Sequence, residues 1–224
     1  MQYEVEIKSL LGSAENAQSL RERMKIIDPH FALTSRNRQL NHYFTGIGTL
    51  GGIYLAFESY FSEQAKKQLR YLKAHANNFS LRTRGKDEEM LLVIKASIDS
   101  TSSQNGITRI EFEEKINLPL EEIDEILLSI GFEYQAKWSR EREEYVCKGV
   151  SVCLDRNAGY GWLAEFEKMV GSEHELENAR SEVRALMDLC GVQELQQDRL
   201  ERMFAFYNAH WPEYYGTEKV FTIA

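Results

Sequence analysis

The sequence is poor in cysteine and proline, carries fewer bases than acids, and has no long apolar run. Its three cysteines, Cys147, Cys153 and Cys190, are odd in number and lack Cys-x-x-Cys spacing, so they read as reduced thiols. Three prolines exclude a proline-rich linker. The histidines His30, His42, His75, His174 and His210 are scattered, without the paired spacing of a zinc motif. With 27 Lys and Arg against 35 Asp and Glu, the formal charge is -8, which argues against nucleic acid as a partner. The same deficit argues against an anionic membrane surface, because affinity for such polyanions comes from excess base. The apolar runs at 91–94 and 126–128 are far shorter than a membrane helix, which needs about 20 residues. The opening Met-Gln-Tyr-Glu-Val-Glu has neither the basic nor the apolar region of a signal peptide, so the expected compartment is the cytoplasm. What is present, 43% hydrophobic and 28% charged residues, is ordinary for a globular chain long enough to bury a real core.

Periodicity predicts strands at about 2–9, 37–45, 79–85, 89–98, 107–116, 133–147, 150–156 and 162–169. Helices are expected from Ser13 to about 27, from Pro119 to Gly131, and near 173–190 and 195–211. Lys148-Gly149 reads as a tight turn, and 99–106 as a hairpin loop. The stripe Leu200, Met203, Phe204, Tyr207 and Trp211 reads as core packing. Residues 46–78 read as an insertion in which a Gly-rich turn leads through an aromatic segment to an amphipathic helix through Leu69 and Leu72. Its first expectation is local packing, with a hinged lid as the alternative. Gly46-Ile-Gly48-Thr-Leu-Gly51 matches G-x-G-x-x-G but lacks the strand-helix-strand context of a dinucleotide fingerprint, so it reads as a turn.

A second period runs through the strands. Alternate side chains take opposite faces, and stepping two residues at a time meets charge almost everywhere. The set comprises seven acids (Glu4, Glu6, Glu111, Glu113, Asp155, Glu165, Glu167) and seven bases (Lys8, Arg82, Arg84, Lys95, Arg109, Arg140, Arg142). A solvated face would mix in Ser, Thr and Gln, whereas this one is mostly Arg and carboxylate. About eight antiparallel strands can close into a barrel that holds one small ligand. The expected fold is therefore α+β, an eight-stranded antiparallel closed β-barrel or tunnel with a charged lumen and helices covering its outside. Ions removed from water cost several kcal/mol each unless paired or coordinated, and the occupant that suits this lumen is a polyanion with a divalent cation.

Glu4-Val-Glu6-Ile-Lys8 resembles the Glu-x-Glu-x-Lys signature of the CYTH superfamily, the triphosphate tunnel metalloenzymes that include class IV adenylate cyclases and thiamine triphosphatases. Leu81-Arg82-Thr83-Arg84, Val93-Ile94-Lys95, Arg109-Ile110-Glu111-Phe112-Glu113, Arg140-Glu141-Arg142, Leu154-Asp155 and Gly161 through Glu167 follow in the family's order. Arg140 departs from the Lys that many members carry, and the 46–78 insertion is longer than the family pattern. The resemblance implies a single domain over 1–224, with a core at about 2–170 and a helical extension over 171–224. It implies that Lys8, Arg82, Arg84, Lys95, Arg109, Arg140 and Arg142 bind phosphate. Glu4, Glu6 and Glu167 become first-metal ligands, while Glu111, Glu113, Asp155 and Glu165 serve a second metal or orient water. Lys8, Arg142 and Asp155 form the expected catalytic set. The expected activity is a Mg²⁺- or Mn²⁺-dependent phosphohydrolase of inorganic, thiamine or nucleoside triphosphate. Adenylate cyclase is the first alternative and a non-catalytic triphosphate-binding module the second. The expected partner is a small-molecule triphosphate, and a homodimer is compatible with the pattern.

Overall fold

The computed structural model describes residues 3–97 and 109–223, so the expected loop at 99–106 lies outside the described residues. In chain order the elements are β1 (Tyr3–Gly12), α1 (Ala14–Ile27), β2 (Ala32–Gly46), α2 (Leu50–Phe57), α3 (Glu63–His75), β3 (Asn78–Lys86), β4 (Glu89–Ser97) and β5 (Arg109–Lys115). They continue with α4 (Leu120–Ser129), β6 (Phe132–Cys147), β7 (Val150–Asn157), β8 (Gly161–Val170), α5 (Leu176–Cys190) and α6 (Gln197–Tyr214). All eight strands join one antiparallel sheet, ordered β1-β8-β7-β6-β2-β3-β4-β5. The α+β expectation holds, but the closed barrel does not. Among the described residues β1 pairs only with β8 and β5 only with β4, leaving the sheet open between β1 and β5. Charge periodicity decides which face a side chain takes, but it carries no information on whether the two end strands meet.

The chain divides into two compact units, a terminal one (Met1–Arg38 with Ser139–Ala224) and a central one (Gln39–Trp138). In the terminal unit, β1 buries Val5, Ile7, Ser9 and Leu11 and turns Glu4 and Glu6 outward, as a strand period requires. Helix α1 starts where the Ser13 Oγ accepts a bond from the Asn16 N–H at 3.3 Å. It buries Ala17, Leu20 and Met24, which pack with Val183 and Met187 of α5 and with Val152, Leu154 and Phe166 of the sheet. Lys148 and Gly149 both take positive φ and close the expected tight turn between β6 and β7. The Asp28 carboxylate anchors that turn, accepting from the Lys148 N–H at 2.5 Å and the His30 N–H at 2.8 Å. Of the stripe expected on α6, Met203 and Tyr207 are buried, and Tyr207 contacts Tyr160 and Phe221.

The central unit holds the sharpest departure from the sequence reading. Part of the expected Gly-rich turn is helix α2, capped by the Thr49 Oγ1, which accepts from the Gly52 N–H at 3.1 Å, so Gly51 and Gly52 occupy a first helical turn rather than a hinge. Ile53 and Phe57 of α2, Phe61, and Ala65, Leu69 and Leu72 of α3 all enter the core formed with Leu81, Leu92, Ile94 and Phe112. Each buried Leu, Ile or Phe among them contributes about 1.5–3 kcal/mol. Within the central unit these side chains of 46–78 are packed in the core, in keeping with the packing expectation. Gly131, at φ +92°, ends α4, and its carbonyl accepts from the Ile47 and Gly48 N–H groups, each at 3.1 Å.

Candidate functional site

In the terminal unit the strand registers assemble eight of the expected residues. Lys8 stands opposite Glu165 and Glu6 opposite Glu167 across β1 and β8, while Arg142 stands opposite Asp155 across β6 and β7. Arg142 holds Asp155 as a fork, its Nε donating to Oδ1 at 2.7 Å and its Nη2 to Oδ2 at 2.6 Å. Arg140 Nη1 donates to the same Oδ2 at 2.7 Å. Arg142 also donates to Glu165, whose Oε1 lies 3.2 Å from Lys8 Nζ, and Lys8 in turn pairs with Glu6. Asp155 is completely buried, so two guanidiniums take up its charge and its hydrogen-bonding capacity.

This chain balances three bases against three acids, and two further acids stand beside it. Glu4, Glu6 and Glu167 each bring a carboxylate oxygen within 4.8 Å of the others. Burial, then the Glu165 and Glu4 charges, push the Glu167 carboxyl up to about 7, against the opposing pull of Arg142 and Lys8. Glu165 shifts the other way. Burial alone would raise it, but Lys8, Arg142 and Arg140 hold it well below the usual carboxylate range. Burial also works against the Arg142 charge, yet its bonds and Coulombic contacts with Asp155 and Glu165 raise its pKa. Cys153, opposite Glu165 in the β7–β8 ladder, is buried, and its thiol is pushed up to about 12 by burial and the surrounding acids, against the pull of Arg142.

The central unit carries a second cluster. Arg82 Nη1 donates to the Tyr43 hydroxyl at 2.8 Å, and Arg84 Nε donates to Asn41 Oδ1 at 2.9 Å. Their acidic contacts are looser: Arg82 Nη2 is 3.7 Å and Lys95 Nζ 3.5 Å from Glu111, and Arg84 Nη1 is 3.2 Å from Glu113. Both acids are more than two-fifths exposed. Arg82 Nε is buried with no hydrogen-bond partner among the described residues. Arg109 stands opposite Ser97 in the β4–β5 ladder. Asn41 and Tyr43 escape a reading based on charge. The signal that reveals them is the polar alternation Asn37, Gln39, Asn41, Tyr43 along β2, of which the first three are buried.

The family model for the CYTH domain matches residues 2–199. The chain belongs to the CYTH family. No curated protein matches the sequence. Among solved structures, this CYTH chain resembles a Pyrococcus horikoshii protein at 22% identity and a TM-score of 0.60, over 93% of this chain and 100% of that one. It also resembles a candidate adenylate cyclase from Vibrio parahaemolyticus at 17% identity and 0.59, over 91% and 98%. A third is a candidate adenylyl cyclase from Hippeastrum with a dominant triphosphatase activity, at 18% identity and 0.50, over 89% and 95%. At these identities the likeness is one of fold. No helix among the described residues is long and apolar enough to cross a membrane.

Proposed function

We propose that this CYTH protein is a divalent-cation-dependent phosphohydrolase of small-molecule triphosphates. One observation carries the reading: the acids Glu4, Glu6 and Glu167, with oxygens mutually within 4.8 Å, adjoin the linked bases Lys8, Arg142 and Arg140 on one charged strand face. The donor set fits a hard cation. It is all carboxylate, it sets Glu6 directly opposite Glu167, and burial followed by the charges of Glu165 and Glu4 raises the Glu167 carboxyl. Magnesium or manganese bound there would neutralise charge on phosphate oxygens and lower the pKa of a bound water.

The chain's own groups supply position and charge. Lys8 and Arg142 are the assigned catalytic cations, gripping phosphoryl oxygens together with Arg140. Asp155 acts through the two guanidiniums it orients and is a positioning residue. Arg82, Arg84, Lys95 and Arg109 are assigned to phosphate as well, and the unpartnered Arg82 Nε supports this. Glu111 and Glu113 form a second carboxylate set beside these bases. Water adds to the terminal phosphorus and the bond to the bridging oxygen breaks, a transfer that needs positioning more than covalent chemistry. Cyclase action would instead require a ribose hydroxyl at the α-phosphorus. Hydrolysis is favoured because each assigned side chain serves phosphate or cation and water suffices as nucleophile. The triphosphatase activity of the Hippeastrum neighbour supports the same ordering.

The test is an assay of purified protein with tripolyphosphate, thiamine triphosphate and ATP, with Mg²⁺, Mn²⁺ or chelator, resolving phosphate, pyrophosphate and cyclic AMP. Cation-dependent phosphate release is the expected result. Cyclic AMP with pyrophosphate would transfer the reading to the cyclase, and no turnover of any substrate would overturn both.

A further inference from the structure

The sheet face opposite Arg82 and Arg84 holds a buried polar cluster that the phosphate chemistry does not use. Its centre is Asp124, on α4, which is 1% exposed. One carboxylate oxygen, Oδ1, accepts from the Thr83 hydroxyl at 2.7 Å. The other, Oδ2, lies 2.6 Å from His42 Nδ1 and accepts from the Tyr134 hydroxyl at 2.8 Å. Lys137 Nζ stands 3.9 Å from the same oxygen and 3.9 Å from the centre of the Tyr134 ring. A carboxyl group withdrawn from water is stable only with such a set of hydrogen-bond partners, and the low dielectric around it strengthens each bond.

The placement of those partners gives the cluster a meaning beyond packing. His42 and Thr83 face each other in the β2–β3 ladder, so one carboxylate ties the two strands together at a single rung. The adjoining rungs on the other face are Tyr43 opposite Arg82 and Asn41 opposite Arg84, the pairs in which β2 holds the two guanidiniums. Because side chains alternate along a strand, fixing the twist and register at His42 and Thr83 also fixes the direction from which Arg82 and Arg84 leave the sheet.

We propose that Asp124 is a positioning residue for triphosphate binding: it clamps His42 and Thr83 on one face of the sheet and so sets Arg82 and Arg84 at phosphate spacing on the other. This rests on the assignment of those arginines to phosphate made above. Asp124 touches neither substrate nor cation. Its contribution is to keep two long, flexible side chains from being ordered only when the ligand arrives, a cost that falls on binding.

The experiment measures tripolyphosphate affinity by calorimetry on the full chain with Mn²⁺, at a temperature where each variant is folded, for wild type, Thr83→Val, Asp124→Asn and Arg82→Ala. Thr83→Val keeps the side-chain shape and removes one bond to Asp124, so it tests the clamp even where Asp124→Asn fails to fold. Thr83→Val and Asp124→Asn are expected to weaken tripolyphosphate binding about tenfold, the lower end of what losing an outer partner costs a ligand residue. Affinity for Mn²⁺ alone should be unchanged, and KM should rise more than kcat falls. A purely structural role would lower the melting temperature and leave affinity in the folded protein intact, and that result overturns the clamp. If wild type binds no tripolyphosphate, or Arg82→Ala binds it as wild type does, the phosphate assignment itself fails. Tripolyphosphate binding by wild type that Arg82→Ala weakens, together with unchanged affinity in Thr83→Val, removes only the clamp.

Discussion

The two charged clusters use the same residue types to opposite ends. In the terminal unit Arg140 and Arg142 spend their donors on a wholly buried Asp155 at 2.6–2.7 Å. In the central unit Arg82 and Arg84 lean on neutral partners, Tyr43 and Asn41, and meet half-exposed acids at 3.2 Å or more. A guanidinium held by a neutral acceptor keeps its full charge for a ligand, whereas one forked onto a buried carboxylate meets phosphate with part of its charge already compensated. The contrast teaches that an arginine on a charged strand face is defined by its counter-group, which sequence does not reveal.

The largest way to break the contrast is Asp155→Asn. It leaves two guanidiniums short of their buried counter-charge and should cost about 3–5 kcal/mol of stability, measured by denaturant unfolding. The matching change in the other cluster, Glu113→Gln, should cost under about 1 kcal/mol because the Glu113 side chain is 41% exposed. Equal losses would erase the distinction. Next in size, Glu4→Gln or Glu6→Gln should lower kcat/KM on the order of 10²–10³-fold with the melting temperature nearly unchanged, as when one preorganised charge is removed from a site. Activity close to wild type at saturating cation would remove these acids from the metal site. Arg82→Ala should raise KM about 10- to 100-fold, the scale of a lost hydrogen bond to a charged group, with stability little altered. An unchanged KM would place Arg82 outside the binding site.

The last effect concerns pH. The Glu167 carboxyl is raised to about 7 in the folded protein, so its protonated form favours folding. That contribution is complete below the ordinary carboxylate pKa and is lost as pH rises through about 7. Glu165, held low, contributes above the ordinary carboxylate pKa and loses its contribution only as pH falls below it, so it is constant across this window. Chelated protein should therefore lose about 2 kcal/mol between pH 5 and pH 8, and Glu167→Gln should flatten the slope. A slope that survives Glu167→Gln, read by thermal melts across pH, would assign it to another group.

Much of this arrangement was legible in the sequence because both of its periods are local. Alternation placed all eight strands, and stepping by two collected Lys8, Glu165, Glu6 and Glu167, which the ladder then sets in opposed pairs. What stayed hidden depends on contacts between distant segments. Helix α2 was obscured because Gly51 and Gly52 suggest a turn, while the Thr49 cap and the burial of Ile53 and Phe57 outweigh that preference. Asp124 reads as one more acid in an acidic helix, and only the fold brings it to His42 and Thr83. Whether β1 and β5 meet was equally beyond a pattern of faces.

Those two strands are the sheet's edges among the described residues, and an edge is where unpaired backbone groups can recruit a second chain. Along β1 every second residue from Glu4 to Lys8 is charged, and β5 adds Glu111, Glu113, Glu114 and Lys115. The groups assigned to cation and phosphate therefore also discourage edge-to-edge aggregation. A chemically silent variant with both Glu4 and Glu6 neutralised would keep Lys8 as the one charged side chain of that run, with Val5 and Ile7 still buried. Colloidal solubility would then decline together with turnover, tying the protein's resistance to aggregation to its chemistry.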